Sequence, residues 1–136
     1  MTRAFFWTLA FSALLACASS AAERGRLEAG AWGGPHIRLD VAEDGTAAFE
    51  LDCAHGTVTA PIVPDRTGAF QGEGRYVREG PGPVREGQGE EGVPVRFAGK
   101  VDGGRLTLTL TLVGSGEEVG TFELTHGKTP RLTKCL

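Results

Sequence analysis

The side chains with chemistry to offer are few. "Asp52-Cys53-Ala54-His55" sets a thiol and an imidazole two residues apart, on one face of an extended strand, and a second thiol stands at Cys135. Two thiolates and an imidazole make three of the four ligands that a structural zinc ion takes. In an oxidising compartment the same two cysteines pair with each other and consume both thiols first. The choice turns on export, and the leader described below favours it. A Cys53–Cys135 disulfide is therefore expected, with no metal and no cofactor. Such a bridge closes a loop of about eighty residues and is worth roughly 4–5 kcal/mol on the chain-entropy estimate.

Other constellations offer less. Phe49-Glu50-Leu51 followed by His55-Gly56 is echoed by Phe122-Glu123-Leu124 followed by His126-Gly127. The echo allows a two-histidine site, but histidines at strand ends are expected to be solvent-exposed turn residues. Ser115 sits in a "GSGEE" turn with no histidine near in sequence, and an oxidised Cys53 is no nucleophile. The acidic pairs Glu90-Glu91 and Glu117-Glu118 fall in turns, where neither geometry nor pKa is held for acid–base work. No catalytic residue is expected, and the chain is read as no enzyme. A formal net charge of −3 without a basic stripe gives no footprint for nucleic acid.

The amino terminus has one basic residue, Arg3, then an uncharged apolar run over residues 4–16 and a small-residue stretch, the pattern of a secretory leader. The run is too short to span a bilayer as a helix. Two cleavage sites overlap. "Ser20-Ala21-Ala22" fits ordinary signal peptidase and makes residues 1–22 the leader. "Leu14-Leu15-Ala16-Cys17" resembles a bacterial lipobox, which would make residues 1–16 the leader and Cys17 the lipidated first residue. The resemblance implies an anchor in the periplasm or outer membrane, since Ala18 is not an inner-membrane retention residue in the usual sorting pattern. With the other cut the protein is free and secreted. A lipid on Cys17 is the one expected membrane attachment.

Residues 23–31 show no apolar period and read as a flexible tail. Residues 32–136 form one domain whose period is two nearly throughout. Ile37, Leu39 and Val41 share a face; so do Phe49, Leu51 and Cys53; then Val58, Ala60 and Ile62. Phe70 and Tyr76 share theirs with Gly72 and Gly74. Val93, Val95 and Phe97 align, Leu106, Leu108, Leu110 and Leu112 face away from Thr107, Thr109 and Thr111, and Phe122 aligns with Leu124. "RLTKCL" reads as a short closing strand. Turn signals such as "AEDGT", "AHGT", "VDGG" and "GSGEE" separate the runs. Residues 78–92, rich in glycine, proline and glutamate, are expected to be a mobile surface loop. The pattern predicts an all-β antiparallel up-and-down meander of seven or eight strands, closed as a barrel, with a two-sheet sandwich as the alternative.

"Gly30-Ala31-Trp32" resembles the G-x-W of the first strand of lipocalins and other calycins. The resemblance implies a barrel whose Trp32 closes one end beneath a basic residue from near the carboxyl terminus, here Arg131 or Lys134. Lipocalins carry a helix after the last main strand, and this chain shows none. Its length is similar to that of bacterial metalloprotease inhibitors, periplasmic barrels whose amino-terminal tail enters the protease cleft. Eight-stranded barrels are filled by side chains or hold one small ligand. A ligand here would be apolar and would meet Trp32, Ile37, Leu39, Phe97, Leu108 and Phe122. The expected function is binding, of an apolar small molecule inside or of an envelope or secreted protein at the loop rim. Protease inhibition through the tail and a passive structural role are the alternatives.

Overall fold

The computed structural model describes residues 25–80 and 92–135. The leader, Cys17 and most of the loop expected over residues 78–92 lie outside the described residues. The described chain forms eight strands and no helix. They are β1 (Gly30–Gly34), β2 (Ile37–Val41), β3 (Ala47–Leu51), β4 (Ala54–Val58), β5 (Ala69–Arg78), β6 (Val93–Asp102), β7 (Arg105–Leu112) and β8 (Glu118–His126). Each strand pairs antiparallel with the next, and β1 pairs with β8, so the meander closes as a barrel and not as a sandwich.

The barrel has two unequal halves. β1 to β4 are five residues each, whereas β5 to β8 run eight to ten. β5 and β6 share eight paired positions, as do β6 and β7. β1 and β8 share two, Trp32 with His126 and Gly33 with Thr125. Closure therefore hangs on the shortest ladder in the molecule.

Alternation explains the core. Leu106, Leu108 and Leu110 are buried while Arg105 and Thr107 are exposed, and every residue of the buried core is apolar or aromatic. Phenylalanine rings lie across the glycines paired with them on the neighbouring strand, Phe49 over Gly56, Phe97 over Gly72 and Phe70 over Gly99. A side chain at any of those glycines would collide with the ring, so the glycines make room for aromatic filling. Aromatic rings thus occupy the interior in front of these glycines.

After β8 the chain turns back and crosses the outside of the barrel as a strap, residues 127–135. It passes so close to β1 that a Cβ on Gly33 would meet the Lys128 carbonyl and the Pro130 nitrogen. The Gly127 N–H donates to Ala31 O (2.7 Å), the Arg131 N–H to Gly34 O (3.1 Å) and the His36 N–H to Arg131 O (2.8 Å). The strap ends at the turn between β3 and β4, where Cys135 and Cys53 form a disulfide with their Cα atoms 5.1 Å apart.

Four sequence expectations are corrected. "RLTKCL" forms no strand over residues 131–135: its bridge there joins Arg131 to Pro35, in parallel, and the rest is held by bonds to Asp52, by Lys134 and by the disulfide. The chain reverses at Asp52-Cys53, so Cys53 is exposed and does not join Phe49 and Leu51 inside. β4 then begins at Ala54, through the His55-Gly56 that reads as a turn, and ends at Val58. Ala60 is consequently exposed, and Ile62 is buried from a loop. Residues 25–29 are no free tail: Leu27 is buried, its N–H donates to Ile62 O (2.9 Å), and β1 already starts at Gly30.

A Gly33→Val substitution should push the strap off β1 and cost about 1–3 kcal/mol, as overpacking does elsewhere. Gly104→Ala, where an added Cβ meets open space, should be near neutral. Urea midpoints of the two variants check this.

Candidate functional site

The barrel has an upper end, carrying the β1–β2, β3–β4, β5–β6 and β7–β8 connections, and a lower end, carrying the other three and the entry of the chain. The expected ligand residues sit between them. Trp32, Ile37, Leu39, Phe97 and Leu108 belong to one continuous apolar cluster, and Phe122, partly buried, packs against it. Of the six, Trp32 alone lines a described cleft.

That cleft, about 430 Å³, opens at the lower end between residues 25–28, the loop around Asp65 and the β6–β7 turn. The indole is fully buried at its base (0% exposed), and its Nε1–H donates to Glu28 O at 2.9 Å. Leu27 and Ile62 plug the barrel mouth beside it. The ring against Trp32 is that of His126, edge-on at 4.8 Å between centroids. The basic residues expected over the indole lie elsewhere. Arg131 pairs with Pro35, and Lys134 is at the upper end.

The upper end holds what the spacing in sequence concealed, a cluster that pins the strap. Asp52 accepts from the Thr133 N–H (2.7 Å) and from His36 Nδ1 (2.6 Å), and its own carbonyl accepts from the Cys135 N–H (3.1 Å). Lys134 Nζ reaches Glu50 (2.8 Å), Glu79 (3.2 Å) and Leu51 O (3.0 Å), while Glu79 also holds His55 Nδ1 (2.7 Å). Exposed ion pairs contribute little singly, so the disulfide and main-chain bonds carry most of the attachment and the charges set its register. The members are up to 83 residues apart in the chain, and no sequence period links them.

This arrangement separates groups that the sequence placed together. His55 stands at the upper end and His126 at the lower, where its Nε2 donates to Ala29 O (2.9 Å), so the echoed motifs build no shared site. Cys53 is bonded to Cys135, and His55 turns to Glu79. Among the described residues no group of three or more His, Cys, Asp or Glu is placed to hold a metal. Ser115 Oγ accepts from the Glu117 N–H (3.2 Å), a turn-stabilising bond.

Beside this cluster the same end carries an apolar cleft of about 340 Å³, lined by Tyr76, Val77, Arg78, Gly92, Val93 and Leu112. Val93 is 50% exposed and Val113 40%, two of the three large apolar side chains that the described surface leaves open. β6 ends its inward alternation here, which is why Val93 does not join Val95 and Phe97 inside.

The latch charges fix its pH response. The Thr133 N–H, ahead of His36, holds Asp52 below its ordinary value of 3.8. Partial burial works against the Glu79 carboxylate, but hydrogen bonds from His55 and Lys134 outweigh it and hold Glu79 below 4.5. Burial likewise works against the Lys134 ammonium, and its bonds to Glu50 and Glu79 overcome this and raise it above 10.5. The two carboxylates contribute stability above their ordinary values and lose it as pH falls through their lowered ones. Lys134 contributes below 10.5 and loses it as pH rises through its raised value. Calorimetric midpoints of an Asp52→Asn, Glu79→Gln double variant should thus fall less in acid than those of the parent. Equal acid limbs would refute the assignment.

No family model matches this chain, and neither the curated proteins nor the solved structures give a match.

Proposed function

We propose that the protein is an exported, non-enzymatic, lipocalin-like β-barrel of a bacterial cell envelope that binds a protein partner at its upper end. The observation that carries this reading is the buried core: of the six inward residues expected to meet a ligand, Trp32 alone lines a described cleft. The side chains that would line an apolar ligand site belong to the buried core, while Val93 and Val113, two of the three exposed large apolar side chains of the described surface, stand at the upper end, where Val93 lines an apolar cleft. A small apolar molecule would have to displace core aromatics that a barrel needs for stability.

Inhibition of a secreted protease through the tail is disfavoured on a specific ground. Leu27, in the middle of that segment, is buried and bonded at the lower mouth, so inserting it into a cleft would cost its burial. The chain enters the barrel at that same lower end. With Cys17 lipidated, seven residues separate it from Gly25, and the upper end points away from the membrane toward a partner.

The test has two arms. The purified mature protein should show no saturable uptake of an apolar fluorophore, and uptake would restore the small-molecule reading. A photo-crosslinking residue at Val93 should capture one discrete protein in the native host, with the same residue at Glu43, on the lower end, capturing none. Equal capture at both positions, or none at either, would refute a specific upper-end partner.

A further inference from the structure

The strap encloses a groove against the outside of the barrel. It lies over β1, with the Lys128 carbonyl and the Pro130 nitrogen where a Gly33 side chain would stand, and so forms a wall beside the outer face of β8 and β7. On that face Thr125 pairs with Gly33 on one side and with Arg105 on the other, and Glu123 pairs with Thr107. The space between wall and face is a cleft of about 420 Å³, lined by Arg105, Thr107, Glu123, Thr125 and Lys128, with Gly33 and Pro35 adding no polar side chain. The Lys128 N–H donates to Thr125 O (3.2 Å), which fixes the start of the wall, and the disulfide fixes its far end.

The polar side chains of this groove are unspent. Arg105, Thr107, Glu123 and Lys128 are exposed and Thr125 is half-buried. Among the described residues the three charged groups make no ion pair, and none of the five side chains takes part in a hydrogen bond. Asp102, opposite Arg105 on β6, lines the lower cleft instead. Higher on the same face the polar groups satisfy one another: Thr109 Oγ1 meets Thr121 Oγ1 at 2.9 Å, and Thr121 donates to Glu118 at 3.0 Å.

The charges are also ordered. Arg105 and Thr125 form one cross-strand row, with Lys128 bonded beside it, and Thr107 and Glu123 form the next row on that face. Two residues of strand separate the rows, about 7 Å. The groove therefore has a positive end and a negative end.

We propose that this groove binds a small zwitterion of dipeptide length. Arg105 and Lys128 hold its carboxylate, Glu123 holds its ammonium group, and the Thr107 and Thr125 hydroxyls bond the amide between them. A free α-amino acid carries both charges on one carbon and is too short to reach both ends. Two extended residues span up to about 7 Å. The inference lies beyond the protein-binding reading of the upper end and stands without it.

Glycylglycine titrated into the isotopically labelled mature protein, followed by residue-resolved NMR, tests it. Saturable shifts should appear at Arg105–Thr107, Glu123–Thr125 and Lys128, and acetate should not produce them at the same concentrations. Lys128→Gln and Glu123→Gln should each weaken glycylglycine binding about fivefold, the upper range for an exposed ion pair, with an unchanged thermal midpoint. Acetylglycylglycine lacks the ammonium group, so its weaker binding should be the same with and without Glu123→Gln. Absence of saturable shifts, or shifts spread over other faces, would overturn the proposal. Equal binding of acetate would reduce the groove to an anion site and overturn it too, as would undiminished glycylglycine binding by Glu123→Gln.

Discussion

Two paired positions between β1 and β8 close this barrel, and the rest of the molecule is arranged around that short seam. A sheet that curls without closing leaves two open edges and an uncovered core. The eight-position ladders from β5 to β7 hold themselves, but β1 needs help. The strap supplies it. Residues 127–131 lie along the outside of β1, and the Cys53–Cys135 disulfide with the Asp52 and Lys134 clusters anchors the far end. The cross-link spans 82 positions, so it removes a large loop from the unfolded chain and holds the strap across the seam at once.

The same constraint shapes what the surface offers. The β1–β8 ladder stops at Gly33 and Thr125, since Pro35 has no N–H to carry it on, although Gly34 still packs against Glu123 and Leu124. The lower mouth, by contrast, is plugged by Leu27 and Ile62. The core between is filled by rings lying over glycines. A barrel built this way has one plugged end and an upper end that carries the exposed Val93 and Val113.

Much of the fold was legible because burial here is one-sided. The Leu/Thr alternation of β7 and the Phe70–Tyr76 face of β5 fall where the period of two puts them. β4 was misread because Gly56 faces inward without a side chain, so "AHG" looks like a turn while Asp52-Cys53 makes the real one. Leu27 could not be found by period, since a single apolar residue has none. "RLTKCL" reads as a closing strand, yet its course depends on the disulfide and on bonds to Asp52, Glu50 and Glu79, far off in the chain. The pairing of Cys53 with Cys135 came from counting thiols. The residues expected to meet a ligand do face the core, but alternation alone does not say whether inward side chains leave a space, and it does not show that Phe49, Phe70 and Phe97 lie over facing glycines.

The central claim is that the tethered strap holds the β1–β8 seam. Residue-resolved hydrogen exchange of the mature protein, with the disulfide intact and then reduced under native conditions, tests it most directly. On reduction, amides of β1 and of residues 127–135 should lose protection first and furthest, while those of β6 and β7 stay slow. Uniform acceleration across all eight strands, or an unchanged β1, would contradict it.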